Sequence, residues 1–316
     1  MERDRIRRYE QAAELLPPRL RRSALELPDA YKAQAEELRL RVGLPLTVRT
    51  SEGERSAAPA DRDALVTAED LERVIAGVTE YSRYASAEAL RQGFLSVRGG
   101  FRLGVCGTAV LRDGAVSSLK DFSALALRIV CERIGVGADI APRLFDESGQ
   151  VQSTLILSPP GAGKTTLLRD LIRCLSLGSA AHRALRVAVI DERGEIAVSC
   201  GGRPQTELGN HTDVLDGCPK ALGIPMVLRA MAPQVIAVDE IATAADIEAV
   251  CAAANCGAAL LATIHASGVD ELRRKPLWRA LLAAEVFSRA VVIGCDGGRR
   301  AYTVEDIPCS DGSARD

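Results

Sequence analysis

Along the second half of the chain, short runs of consecutive apolar residues alternate with longer segments of mixed character. The runs are Thr154–Leu157, Val187–Ile190, Val235–Val238, Ala259–Thr263 and Val291–Ile293. Strands that are apolar at every position, with helices between them, predict a parallel sheet covered on both faces. The first half reads differently. Residues 1–42 are largely helical in pattern, and Tyr31–Leu40 is rich in helix formers. Glu37–Val42 then alternates polar and apolar positions, the period of a strand. Gly43-Leu44-Pro45-Leu46 turns the chain into a second strand, Thr47–Thr50, and polar residues 51–62 read as a hairpin tip or loop. Thr67-Ala68-Glu69-Asp70 predicts a helix start with Thr67 capping the amide of Asp70, and Leu71, Val74, Ile75 and Val78 share one face of that helix. A further helix over Ala87–Arg91, a hairpin of Phe94–Val97 with Phe101–Val105, strand character to residue 112 and an apolar stretch Leu125–Ile134 complete this half.

The change of pattern predicts two domains. Residues 1–147 form a smaller α+β domain and residues 148–316 an α/β domain, with the polar string Asp146–Gln150 as the linker. No internal repeat interrupts either half.

Composition narrows the function classes. The 40 Lys+Arg against 42 Asp+Glu give a net charge of −2, so no basic excess points to nucleic acid. No apolar run is long enough to span a bilayer, and the N-terminal MERDRIRRYE lacks the apolar core of a signal peptide. A cytosolic chain starting near Met1 is expected. Nine cysteines, an odd number without a CxxC pair, read as reduced thiols rather than a disulfide framework. Cys251 and Cys256 with His265 fit no zinc spacing.

The strongest chemical signal is Thr154–Arg169, TLILSPPGAGKTTLLR, in which an apolar strand runs through a glycine-containing loop into a helix. That context is what a Walker A loop requires. Backbone amides around Pro160, Gly161, Ala162, Gly163, Lys164, Thr165 and Thr166 are placed to wrap phosphate oxygens. Lys164 neutralises the β/γ oxygens, Thr165 offers its hydroxyl to Mg²⁺, and the helix N-terminus adds a favourable field. The first glycine of the G-x-x-x-x-G-K-[ST] pattern is Ser158 here, at the strand end. Val235–Glu240 is a buried strand ending in two carboxylates. It is the Walker B form: Asp239 for Mg²⁺, Glu240 to orient and deprotonate the attacking water. ATP and Mg²⁺ are therefore the expected ligands, in a P-loop NTPase domain of RecA/AAA-like type.

Further polar residues fall at strand ends. Asp191, Glu192, Arg193 and Glu195 follow Val187–Ile190, at the carboxyl edge where open α/β sheets bind ligands. Glu192 or Glu195 is placed to hold a water or to pair with Arg229; a plain ion-pair cluster is the alternative. Thr263 and His265 end another strand, with His265 a candidate sensor of the γ-phosphate. Arg229, shortly before the Walker B strand, is a candidate for the γ-phosphate or for a neighbouring subunit. His182 reads as loop surface, and His211 lies in a polar segment of uncertain path. The arginines at 3, 5, 7, 8, 19, 21 and 22 form a basic stretch suited to anionic lipid or an acidic partner, or, more plainly, to a solvated helix face.

Taken together, SPPGAGKTTLLRDLIR, VAVIDERGEIA, TDVLDGCPKALGIPMVLRAMAPQVIAVDEI and ATIHA resemble the stage III sporulation AA family. These are P-loop ATPases related to the type II/IV secretion and pilus-retraction motors. The N-terminal strings EELRLRVGLPLTV, DLERVIAGVTEYSRYASAEALRQGFLSVRGGFRLGVCG and LRIVCERIGV resemble it as well, so the likeness runs over most of residues 15–295. The resemblance implies an ATPase at the cytoplasmic face of a membrane on the mother-cell side of an endospore former. It further implies a homo-hexameric ring working with membrane-embedded channel proteins. Secretion motors usually carry Gly before the Walker B Glu, where this chain has Asp239, and their tetracysteine insert has no counterpart. Arginines from a neighbouring N-terminal domain complete the site in such motors, which makes Arg91, Arg98 and Arg102 candidates. An energising motor is the leading expectation. A nucleotide-gated scaffold with little turnover is the alternative, and a nucleic-acid translocase is disfavoured by the near-neutral charge.

Overall fold

The computed structural model describes residues 2–57, 65–79, 93–129, 132–296 and 299–308. The predicted helix Ala87–Arg91, and Arg91 with it, lie outside these residues. The chain forms two compact units: Met1–Cys131 together with Val198–Gln205, and Glu132–Ala197 together with Thr206–Asp316.

In the first unit, helices α1 (Glu2–Ala13), α2 (Pro18–Leu25), α3 (Asp29–Lys32) and α4 (Ala68–Thr79) accompany a six-stranded antiparallel sheet. Its strands are β1 (Glu37–Arg41), β2 (Thr47–Thr50), β3 (Gly53–Ser56), β4 (Phe94–Val97), β5 (Phe101–Arg112) and β6 (Ala115–Arg128), in the order β3-β2-β1-β6-β5-β4. The alternation of β1 buries Leu38 and Leu40 against Leu103, Leu125 and Leu127 from β5 and β6. Leu71, Val74 and Ile75 of α4 join that core, as their helical spacing predicts. Thr67 caps α4 as expected: its hydroxyl accepts from the Asp70 amide at 3.2 Å, and the Asp70 carboxylate accepts in turn from the Thr67 amide at 2.8 Å. The β5–β6 hairpin closes on Asp113-Gly114, both at positive φ (53° and 78°), the backbone that a tight two-residue turn demands. The basic N-terminal stretch is not simply a solvated face. Arg5 donates to the Ala33 carbonyl, Arg21 to those of Glu14 and Leu16, and Arg19 pairs with Asp70 at 2.6 Å.

The second unit is a seven-stranded sheet in the order β13-β12-β7-β11-β10-β8-β9. The strands are β7 (Thr154–Ser158), β8 (Val187–Asp191), β9 (Thr212–Asp216), β10 (Val235–Val238), β11 (Ala259–His265), β12 (Arg289–Asp296) and β13 (Arg299–Asp306). All pair in parallel except β13, which runs antiparallel to β12. The five apolar runs of the sequence are its five inner strands. Each feeds both faces. Leu155 and Leu157 of β7, Ile236 and Val238 of β10, and Ala188 and Ile190 of β8 enter one core with α6 (Lys220–Met231) and α7 (Ala244–Asn255). Ile156, Val235, Ala237, Val187 and Val189 enter the other, against Leu167, Leu168, Leu171 and Leu175 of α5 (Lys164–Leu177). The short helices α8 (Val269–Arg274) and α9 (Pro276–Ala283) precede β12.

The division between the units falls earlier than the Asp146–Gln150 string. That string is a tight turn: the Asp146 carboxylate accepts from the amides of Ser148 and Gln150, both at 2.9 Å, and Phe145 bridges to Val151. Ile140, Ala141 and Leu144 just before it are buried under α5, and the Gly137 amide donates to the buried Asp170 carboxylate at 2.6 Å. Polar composition there reflects turn chemistry within the second unit.

Candidate functional site

The loop after β7 turns because two glycines take backbone that other residues avoid: Gly161 at φ 75° and Gly163 at φ 102°. Gly163 is the N-cap of α5, so the first amides of that helix face the loop. Ser158, the departure from the Walker A pattern, is a fully buried strand residue paired with His265 across the β7–β11 ladder. Its φ is not positive, so the backbone there tolerates a Cβ, and its hydroxyl donates to the Pro159 carbonyl at 2.8 Å.

Lys164 is 7% exposed. Its ammonium donates to the Ser158 carbonyl at 3.2 Å and the Pro159 carbonyl at 3.4 Å, and lies 2.8 Å from His265 Nδ1. An ammonium only donates, so Nδ1 accepts and a neutral His265 carries its proton on Nε2, which faces Glu240 Oε1 at 3.6 Å. Burial lowers the Lys164 pKa below the usual lysine range, and the charges of Asp239 and Glu240 oppose that shift.

Asp239 closes the β10 end. One carboxylate oxygen accepts from the Thr165 hydroxyl at 2.9 Å, the other from the Thr263 hydroxyl at 2.6 Å. Thr263 in turn accepts from the Glu240 amide at 2.9 Å. Two hydroxyls and a carboxylate from three elements thus converge on one point. Hard oxygen donors with a single carboxylate suit Mg²⁺, which keeps waters and takes its remaining ligands from phosphates. Glu240 sits at φ 38°, a strained backbone for a residue with a side chain. Its carboxylate pairs with Arg193 at 2.9 Å.

The acidic cluster after β8 divides its roles. Asp191 is buried and staples the adjoining loop, accepting from the amides of Glu195, Ile196 and Ala197 at 2.8, 3.0 and 2.8 Å. Burial pushes its pKa up, and those three bonds oppose the rise. Glu192 pairs with Lys220 and not with Arg229. Arg169, half-buried on α5, donates to the Glu195 carbonyl at 2.8 Å.

Arg229 stands apart from these groups. It is exposed in the last turn of α6, the end that delivers the chain to the start of β10. The phosphate loop lies at the opposite, carboxyl edge of the same parallel strands. Within one chain the fold therefore does not bring Arg229 to Lys164 or Glu240. Arg98 is exposed in the β4–β5 turn, and Arg102 stacks over the Phe94 ring at 3.7 Å. His182 is not a plain surface residue, since its ring stacks on Phe145 at 3.7 Å. His211 binds the end of α5 through Ser176, with its amide on the hydroxyl at 2.8 Å. Sequence reasoning gave no partner for Arg193 and overlooked Arg300, whose guanidinium lies against Gly163.

A strand–loop–helix with Gly161, Gly163 and Lys164, facing an Asp-Glu strand end in a parallel sheet, defines a P-loop ATPase fold of the secretion-motor type. The pilus retraction motor PilT, solved with bound ADP, superposes with a TM-score of 0.56 at 19% identity, covering 86% of this chain and 78% of that one. The Legionella pneumophila ATPase DotB gives 0.54 at 18%, covering 86% and 76%. Residues 6–307 match the family described as sporulation stage III, protein AA, and the chain belongs to it. Stage III sporulation protein AA of Bacillus subtilis (strain 168) is 33% identical over 301 residues, 95% of each chain.

Proposed function

We propose that the chain binds Mg-ATP at Lys164, Thr165 and Asp239 and hydrolyses it, as the motor of a complex at the cytoplasmic face of a membrane during endospore formation. The observation that carries this reading is the Asp239 carboxylate held between the Thr165 and Thr263 hydroxyls at 2.9 and 2.6 Å, beside a loop that holds a buried lysine. Bound Mg²⁺ would neutralise phosphate charge, with Thr165 and Asp239 as its protein contacts. The amides of residues 160–166 and the Lys164 ammonium bind and orient the phosphates. Glu240 takes the proton of the attacking water, and His265, between Lys164 and Glu240, reports whether the γ-phosphate is there. Among the described residues no helix is long and apolar enough to cross a membrane. Membrane association would then run through protein partners, and by likeness to secretion motors we propose a homo-hexameric ring engaging embedded channel proteins. Arg229 enters this scheme only from a neighbouring copy.

One observation favours the alternative of a nucleotide-gated scaffold with little turnover: the Glu240 carboxylate is already engaged by Arg193. Purified Glu240→Gln separates the two. The motor reading expects ATP affinity within about threefold of wild type and phosphate release lowered more than about a hundredfold. Unchanged phosphate release in that variant would remove it. Light scattering with a non-hydrolysable ATP analogue, over a range of concentrations, checks the ring.

A further inference from the structure

We propose that Arg300 is a nucleotide-binding residue, acting within the same chain on the α-phosphate side of the phosphate loop. The proposal deepens the ATP reading and rests on it. Arg300 is the second residue of β13, and β13 begins at the edge where β12 ends. Because β12 runs parallel to β7, that edge is also the edge of the phosphate loop. The guanidinium lies directly against Gly163. A Cβ placed on Gly163 would meet Arg300 Cζ at 3.1 Å and its two Nη atoms at 3.2 and 3.4 Å. Gly163 is required by its φ of 102°, and the exposed guanidinium rests on its open face. The Arg300 side chain is exposed and has no ion-pair or hydrogen-bond partner among the described residues.

Charge makes the placement informative. A guanidinium and the Lys164 ammonium flank the same loop, at the positive end of a helix. Such an arrangement repels itself unless a multiply charged anion joins it. Strand order decides which part of the anion Arg300 meets. Asp239, Glu240, Thr263 and His265 all follow β10 or lie at the end of β11, on one flank of β7. Arg300 comes from the β12–β13 flank. A nucleotide whose γ end faces Glu240 and His265 runs its α-phosphate and base toward Arg300. The planar fork suits two phosphate oxygens at once, which a lysine does not match.

The test uses the full-length chain and calorimetric titration with Mg-ADP and with a non-hydrolysable Mg-ATP analogue. Arg300→Ala should weaken both by about tenfold, equally, since both carry the α-phosphate. Arg300→Lys should recover only part of the loss. Unchanged affinity for both ligands in Arg300→Ala overturns the proposal, and so does a loss confined to the ATP analogue, which would put the guanidinium at the γ end. Melting of Arg300→Ala without nucleotide should match wild type; a lower midpoint with unchanged affinities makes the residue structural and also overturns it. Wild-type protein that binds neither ligand would instead defeat the ATP reading itself.

Discussion

The antiparallel unit and the Lys164 and Asp239 site of the parallel unit handle buried charge in opposite ways, although elsewhere in the parallel unit Lys220 pairs with Glu192 and Asp170 with Arg173. In the antiparallel unit, buried ionic groups are neutralised next to where they arise. Glu37 pairs with Arg39 and Arg128, Asp70 with Arg19 and the Thr67 cap, and Lys32 with Asp29 and Glu10. In the parallel unit, Lys164 has only carbonyls, a hydroxyl and an imidazole within hydrogen-bond reach, and the Asp239 side chain is held by two neutral hydroxyls. Both charges lie at one edge of the sheet. Charges paired with each other hold a fold together, whereas charges held by neutral dipoles keep their field for something else. The difference sets Lys164 and Asp239 apart from the ion-paired residues, but Asp191, also held by neutral amides, staples a loop, so dipole contacts mark a ligand site only together with a place at the phosphate loop.

The comparison breaks first at Lys164. Lys164→Ala should weaken nucleotide binding by at least about a hundredfold, about 2.7 kcal/mol, while leaving the unliganded melting point level or slightly higher, because a desolvated cation is removed. A fall in that melting point would show the lysine to be structural, and the contrast would fail. Asp70→Ala is the mirror experiment. It removes a helix cap and the partner of Arg19, and we expect a loss of about 2 kcal/mol in denaturant unfolding with nucleotide affinity unchanged. Weakened binding at equal stability would contradict the division.

The third and smallest effect is on pH. Burial lowers the Lys164 pKa in the free protein, so over part of the alkaline range the unliganded lysine is neutral while an ordinary lysine is still charged. A triphosphate needs the charged form. Nucleotide affinity should therefore fall as pH rises through the lowered pKa, below the usual lysine value of 10.5, with proton uptake on binding. In the fold alone the sign is reversed. The unfolded chain binds the extra proton between the two pKa values, so relief of the buried charge stabilises the unliganded protein as pH rises. Melting points cannot stand in for titration here, because the buried Tyr9 hydroxyl, its pKa raised by desolvation, loses stability as pH climbs above 10.0. Calorimetry in buffers of different ionisation heat reads the proton directly, and proton uptake that persists undiminished in Lys164→Ala would assign it elsewhere.

How much of the fold the sequence revealed depends on where side chains are buried. The inner strands of the second unit are apolar at every position because helices cover both faces, and all five were legible. Of the strands that escaped notice, β3, β9 and β13 are edge strands, held by hydrogen bonds to one neighbour, while β6 lies inside its sheet but has no buried residue before Leu125. Gly53–Ser56 is exposed throughout, and Thr212–Asp216 is at most half-buried, so neither carries a hydrophobic signature. Arg300 was hidden for the same reason, since it lies on an edge strand. Arg229 illustrates a different limit. Nearness in sequence to the Walker B strand suggested nearness to the nucleotide, but a helix feeding a parallel strand arrives at the edge opposite the site.

The loop stapled by Asp191 leads straight into Val198–Gln205, a stretch that clusters with the first unit before the chain returns at Thr206. The polypeptide therefore crosses between the units three times. No single cut yields two intact halves: a fragment beginning near residue 132 carries eight residues whose partners were left behind, and its complement lacks them. Truncation of this protein should be designed as excision of a segment and not as bisection, and after a nick at one crossing the two polypeptides are held together only by the packing of segments that each unit draws from both.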